Sequence, residues 1–259
     1  MTGSCALITG ASSGIGKAFA HHLAASGSGV VLVARDEGRL RNLADEIATG
    51  NGVDAEVLPA DLSDAEQLAT VERRAGSTDE PIDLLVNNAG YMTYGSFHGL
   101  DVEQEIGQVD VHVRATLRLT HAAVGPMVKR GRGGVINVSS TAAFQAGPGL
   151  ATYAAVKAFI LSFSEALHEE LRGHGVTVTC LCPGFTRTEL QQRADADMGH
   201  LPGLMWQTPD EVARAALRGH AGRRAVVVPG AVNRAVAAST HVVPRPVSRK
   251  VAARIMRHG

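Results

Sequence analysis

Tyr153 and Lys157 are the residues of this chain best suited to moving a proton. The chain has only three tyrosines, and Tyr153-x3-Lys157 falls in a segment, residues 152–172, with apolar residues at helical spacing. On a helix a spacing of four places both side chains on one face. An ammonium beside a phenol stabilises the phenolate, so Lys157 is expected to pull the Tyr153 pKa down from about 10 and make it usable near neutral pH. A second stretch, Thr9-Gly10-Ala11-Ser12-Ser13-Gly14-Ile15-Gly16, follows a strand-like run and opens a helical one. Gly10, Gly14 and Gly16 allow a tight turn and a close backbone approach. With Ser12, Ser13 and Ile15 they offer free N–H groups and a helix N-terminus to a pyrophosphate. The run Val30–Ala34 then leads into Arg35 and Asp36. A guanidinium there pairs with a 2′-phosphate and stacks on adenine, which favours NADP over NAD. The alternative is that Arg35 faces solvent and Asp36 takes the ribose hydroxyls.

The elements that must position these groups alternate along the chain. Apolar runs at Cys5–Thr9, Val30–Ala34, Ala55–Ala60, Ile82–Asn87, Gly134–Ser139, Val176–Cys182 and Ala225–Pro229 read as strands buried on both faces. Helical patterns at Gly14–Ser26, Glu37–Thr49, Asp64–Ala75, Val102–Lys129 and Thr152–Arg172 lie between them. This predicts an α/β fold: one doubly wound domain with a mostly parallel seven-stranded sheet and helices on both faces. No repeat or linker divides the 259 residues. Residues 190–207 follow a strand end and suit a substrate lid. The stretch from about 231 to 259 is expected to form a basic helical tail, with Val247, Val251 and Ile255 at spacings of four.

With these motifs in order, the chain resembles the short-chain dehydrogenase/reductase family over residues 3–230. The resemblance rests on the glycine turn, Asp61-Leu62, Asn87-Asn88-Ala89-Gly90, Ser139-Ser140, Tyr153-x3-Lys157, and Pro183-Gly184 with Thr188. It implies a Rossmann-like domain with Asp61 and Leu62 near adenine and Asn87 to Gly90 supporting the cofactor. Pro183, Gly184, Thr186 and Thr188 would then lie about the nicotinamide end. It also implies that Tyr153 protonates a carbonyl oxygen while hydride reaches the carbon, that Lys157 additionally holds the nicotinamide ribose, and that Ser140, thirteen residues before Tyr153, binds the reacting oxygen. Ser139 is then a structural neighbour. One position departs from the pattern: His112 stands where the family supplies an asparagine to a proton relay. Imidazole can donate and accept, so the relay persists with altered pH dependence, or His112 only packs.

On the substrate side the resemblance puts Tyr91, Met92, Tyr94, Phe144 and Gln145 around the pocket, with Met198, Leu201, Leu204, Met205 and Trp206 in the lid. Such walls favour an apolar or 3-oxoacyl ketone over a sugar. A formal net charge of zero argues against nucleic acid as a partner. No apolar run approaches the ~18 residues of a membrane span. Cys5, Cys180 and Cys182 lie in strand-like runs and indicate neither a disulfide framework nor a metal site. With a strand starting at Cys5 no secretory leader is expected, and a reducing cytoplasm is the compartment. No Asp or Glu follows Glu211, so the final segment is basic and could meet an acidic carrier protein; a homodimer or tetramer is expected, the dimer through the long helices. The rival to a reductase is a catalytically silent NADP-sensing or carrier-protein-binding protein that lost turnover through His112.

Overall fold

Strands form at the apolar runs: β1 (Cys5–Thr9), β2 (Gly29–Ala34), β3 (Ala55–Pro59), β4 (Leu84–Asn87), β5 (Gly133–Val138), β6 (Val176–Leu181) and β7 (Val226–Val227); β3, expected to be buried on both faces, is an edge strand that exposes Glu56 and Pro59. In the computed structural model, which describes residues 4–190, 194 and 203–242, they make one sheet in the order β3-β2-β1-β4-β5-β6-β7. Every adjacent pair is parallel. Alternate residues feed two cores. Ala6, Ile8, Val30 and Leu32 face one, and Leu7, Val31, Val33 and Leu85 face the other.

Helices close each face by giving up an apolar stripe. On the first lie α1 (Gly14–Ala25) through Phe19 and Leu23, α2 (Glu37–Asn51) through Leu40, Leu43 and Ile47, and α7 (Pro209–Ala221) through Val212 and Ala216. On the second lie α3 (Ala65–Ala75) through Leu68 and Val71, α5 (Ala115–Arg130) through Leu119 and Met127, and α6 (Ala151–Leu171) through Leu171. Truncating any of these leucines to alanine is a cavity mutation, worth about 2–5 kcal/mol. The chain winds outward from β1 in both directions, so the order reverses between β1 and β4, and a crevice opens at their C-terminal ends.

Three expectations need adjustment. The helical pattern 102–129 is not one α-helix: α4 (Val102–Val109) and α5 are joined by a π-helical turn, Asp110–Arg114. The wider turn inserts a residue and carries the buried His112. Strand β4 starts at Leu84, later than the apolar run, and the Ile82 carbonyl accepts from Arg130 Nη2 (2.8 Å). Of the expected tail, α8 (Ala231–Val242) is helical, whereas residues 243–259, with Val247, Val251 and Ile255, lie outside the described residues.

Candidate active site

The crevice is a cleft of about 1220 Å³ lined by the segments that leave β1, β2, β3, β4, β5 and β6. That exceeds the ~300–1,000 Å³ of a site for one small ligand. Its floor is α6, which a buried polar chain holds in place. Asn87 Nδ2 donates to Thr120 (3.0 Å) and Asn137 (2.8 Å), Asn137 Nδ2 donates to Ser164 (3.0 Å), and Ser164 donates to Ile160 O (2.6 Å). Strands β4 and β5 are thereby pinned to α5 and α6. Ser139 completes the anchoring by donating to Lys157 O (2.7 Å).

Tyr153 and Lys157 both reach this floor and are buried. Their electrostatics differ from the expectation set by their spacing. Lys157 Nζ donates to Val138 O (2.8 Å) and stands over the face of the Tyr153 ring, 5.4 Å from its centroid. Burial dominates both groups. It pushes the phenol up to about 12 against the lowering effect of a hydrogen bond with Ser140. It brings the Lys157 ammonium down to about 8, with Cys180 and Cys182 opposing the fall. The phenol is therefore a proton carrier at neutral pH. Ser140 Oγ accepts from Ala142 N (3.1 Å), which leaves its own O–H to donate toward the tyrosine oxygen or an oxygen beside it.

His112 stands edge-on to Tyr153, ring centroids 5.9 Å apart, and its Nε2 is 2.8 Å from Tyr91 O. Burial, reinforced by the Lys157 charge, holds its pKa well below the ordinary value, with the Tyr91 bond acting the other way. A neutral imidazole facing a carbonyl must carry its proton on Nε2, so Nδ1 keeps a lone pair. The neighbouring backbone is shaped to the ring: a Cβ on Gly90 would lie 2.0 Å from His112 Cε1.

Above the floor, Gly10 (φ +67) and Gly14 (φ +54) use the left-handed region that favours glycine. Ser13 caps α1 with no side-chain hydrogen bond, so the backbone N–H groups of the first turn remain to meet an anion. The Asn88 amide braces this turn from behind, donating to Thr9 O (2.9 Å) and Gly10 O (3.3 Å). At the far end, Arg35 lies 3.8 Å from Asp61 and is mostly exposed. Burial alone would raise the Asp61 carboxyl, but two hydrogen bonds from Ser63 and the Arg35 charge together hold it below its usual range. These residues fit a dinucleotide with a diphosphate centre and an anionic edge.

Ser12, Ser13, Ile15, Leu62, Ala89, Gly90, Tyr91, Met92, Gln145, Pro183, Gly184, Thr186 and Thr188 also line the cleft. Four expected residues do not. Tyr94 packs in the apolar cluster with Met92 and Tyr153 behind the lining. Gly16 is turned into the fold, where a Cβ would meet Gly10 O at 2.2 Å; it closes the turn without facing a ligand. Phe144 packs on the far side of its turn with Ile160, Cys180 and Cys182. Trp206 backs the wall through Phe185, 5.6 Å away, and is stacked by Arg187. With Met92, Tyr94, Leu150 and Leu190 it belongs to the apolar cluster around Tyr153. Met205 lines the cleft, whereas Met198, Leu201 and the Leu204 side chain lie outside the described residues. Sequence reasoning missed Arg39, Leu150, Glu189, Asn233 and Val236. Asn233 comes from α8 and sits so close to Gly184 that a Cβ there would meet its amide at 2.4 Å. No local pattern announces such a contact between segments nearly 50 residues apart.

A backbone cradle for a diphosphate beside a buried proton carrier is the arrangement that hydride-transferring enzymes of the doubly wound class require. Comparison with known proteins supplies the family: residues 4–199 match the model described as short chain dehydrogenase, and the chain belongs to that family. It is an NAD(P)-dependent dehydrogenase/reductase acting between ketones and alcohols. A short-chain dehydrogenase from Sphingobium yanoikuyae, solved with NADPH, is 38% identical with a TM-score of 0.83, covering 87% of each chain. The bulky-bulky ketone specific alcohol dehydrogenase of Comamonas testosteroni is 33% identical with a TM-score of 0.79, over 88% of this chain and 87% of that one. A very-long-chain 3-oxoacyl-CoA reductase-like protein of Arabidopsis thaliana is 33% identical over 83% of this chain and 69% of its own length. Among the described residues, no helix is long and apolar enough to cross a membrane.

Proposed function

We propose that the protein reduces an apolar, bulky or 3-oxoacyl ketone with NADPH, using Tyr153 as the acid. The observation that carries this reading is the meeting of Ser140, Tyr153 and Lys157 on a buried floor beside an apolar wall of Met92, Leu150, Phe185 and Leu190. The bound dinucleotide would supply the hydride. The chain's own residues do the rest. The glycine turn and the α1 N-terminus hold the diphosphate. Ser140 and Tyr153 donate to the substrate oxygen, and the Tyr153 proton ends on the product hydroxyl. Lys157 keeps positive charge beneath the ring. His112, with its Nδ1 lone pair, continues the route by which Tyr153 regains a proton.

The 2′-phosphate preference rests on Arg35 at the rim, which is mostly exposed. It gains from Asp36 being occupied: its carboxylate caps α2, accepting from Arg39 N (3.0 Å), and so competes poorly for ribose hydroxyls. The Sphingobium relative's NADPH points the same way. A silent sensor has no observation in its favour, since His112 keeps the polar contact with Tyr91 that a relay position needs. Three free thiols suit a reducing cytoplasm. Exposed Val102, Ile106, Val109 and Leu117 on α4 and α5 suit a homodimer face. Ile106→Glu should then halve the mass measured by light scattering, and an unchanged mass would exclude that face.

The test of function is NADPH oxidation across aliphatic, aromatic, steroid and 3-oxoacyl ketones, with NADH in parallel. Turnover with NADPH that falls at least about 10³-fold in Tyr153→Phe is expected. NADPH binding without turnover on any ketone would overturn the reading.

A further inference from the structure

One contact ties the two long walls of the cleft together. Arg39, in the first turn of α2, donates through Nη1 to both carboxylate oxygens of Glu189 at 3.1 Å, across 150 residues of sequence. Both residues line the cleft. Arg39 is braced from its own side by Asp36, 3.4 Å from its Nε. Glu189 sits between two residues that fix where the tie crosses. Thr188 lies against the diphosphate turn, where a Cβ on Gly14 would meet its Cγ2 at 3.0 Å. Leu190 is packed in the apolar cluster with Met92 and Tyr153. The start of this segment is also stapled, since Arg187 N donates to Gln207 O (2.9 Å) and Gln207 N to Phe185 O (2.9 Å).

We propose that Arg39 and Glu189 form a strap over the cofactor channel that slows release of the dinucleotide, whether or not it carries a 2′-phosphate. The proposal rests on reading the cleft as a dinucleotide site. It gives different roles to the two arginines that follow β2. Arg35 reads the phosphate, whereas Arg39, committed to Glu189 and Asp36, holds the substrate-side segment down across the channel. A ligand lying between the glycine turn and the Tyr153 floor occupies the space this strap spans, so the ion pair must part before it leaves. Because both side chains are close to half exposed, the pair is a modest barrier that salt weakens.

The test measures release rates rather than turnover. Protein loaded with NADPH or with NADH is mixed with excess oxidised cofactor, and the loss of reduced-nicotinamide fluorescence gives the dissociation rate for wild type, Arg39→Gln, Glu189→Gln and the double variant. Both singles should release both cofactors roughly two- to fivefold faster, the range that a half-exposed pair supports. The double variant should be no faster than the faster single, as one shared interaction requires. Wild type in 1 M NaCl should approach the Glu189→Gln rate. Unchanged release in the singles, or single effects that multiply in the double, would overturn the strap. An effect confined to NADPH and Arg39→Gln would also overturn it, making Arg39 a phosphate ligand only. If neither dinucleotide binds wild type at all, the functional reading fails and the strap with it.

Discussion

At the scale of residues, the site turns on what burial does to two ionisable groups. Tyr153, pushed up to about 12, is protonated throughout the working range, which suits it to giving a proton to a developing alkoxide. Lys157, brought down to about 8, is the group that titrates within reach of neutrality. Its charged form exists below that value. The kcat/KM for ketone reduction by the free enzyme should therefore be level from about pH 6.5 to 7.5 and decline as pH rises past about 8. A steady-state pH profile checks this, and a level profile to pH 10 would remove Lys157 from the rate-controlling protonation. The expectation that Lys157 lowers the tyrosine came from a pairwise view of neighbouring charges. It failed because burial of the phenol outweighs the neighbouring ammonium, which donates to Val138 O and stands over the ring face.

At the scale of elements, the π-helical turn between α4 and α5 and the loop after β4 are fitted to each other. The loop must contain a glycine at position 90 because the turn delivers an imidazole into the space a Cβ would fill. Gly90→Ala should displace His112 or the loop, destabilise the protein by roughly 1–3 kcal/mol through overpacking, and reduce turnover. Adding the shorter His112→Asn should recover much of both losses, since an asparagine amide can still donate to Tyr91 O. Thermal unfolding of the two variants decides the matter. A double variant no more stable than Gly90→Ala alone would mean that the two positions are not coupled. The helical pattern over residues 102–129 was legible in sequence. The extra residue in its middle was not, because the π-helical turn absorbs the phase shift of an inserted residue through backbone geometry that no residue type announces, and His112 comes to line the cleft.

At the scale of the whole molecule, two histidines are folded in their neutral form. His220 on α7 is brought down to about 4, first by burial and then by the His168 charge, and it lies 3.0 Å from Thr179 on β6. His112 is likewise held well below its ordinary value by burial and the Lys157 charge. A folded pKa below the unfolded one means that the unfolded chain gains the proton first as pH falls. Stability is unaffected above about pH 6.5 and is lost as pH drops from there toward 4, by roughly 3 kcal/mol for His220 alone. Urea midpoints measured across this window should fall in wild type and fall less steeply in His220→Gln. Equal slopes would show that carboxylates, not this histidine, govern the acid limb.

The sequence by itself determined the strands, the alternation with helices that implies a parallel sheet, and the glycine turn. It also offered Ser140, Tyr153 and Lys157 as candidates, which the structure brings to one cleft. Each of these is written in local periodicity or in short motifs whose spacing survives folding. Only the tertiary structure decided which faces those residues show and what stands opposite them. It turned Gly16, Phe144 and Trp206 away from the cleft, brought Asn233 of the last described helix against Gly184, and set Arg39 against Glu189. Those contacts join segments tens to more than a hundred residues apart. Burial and pairing are properties of the packed chain as a whole, and no window along the sequence contains them.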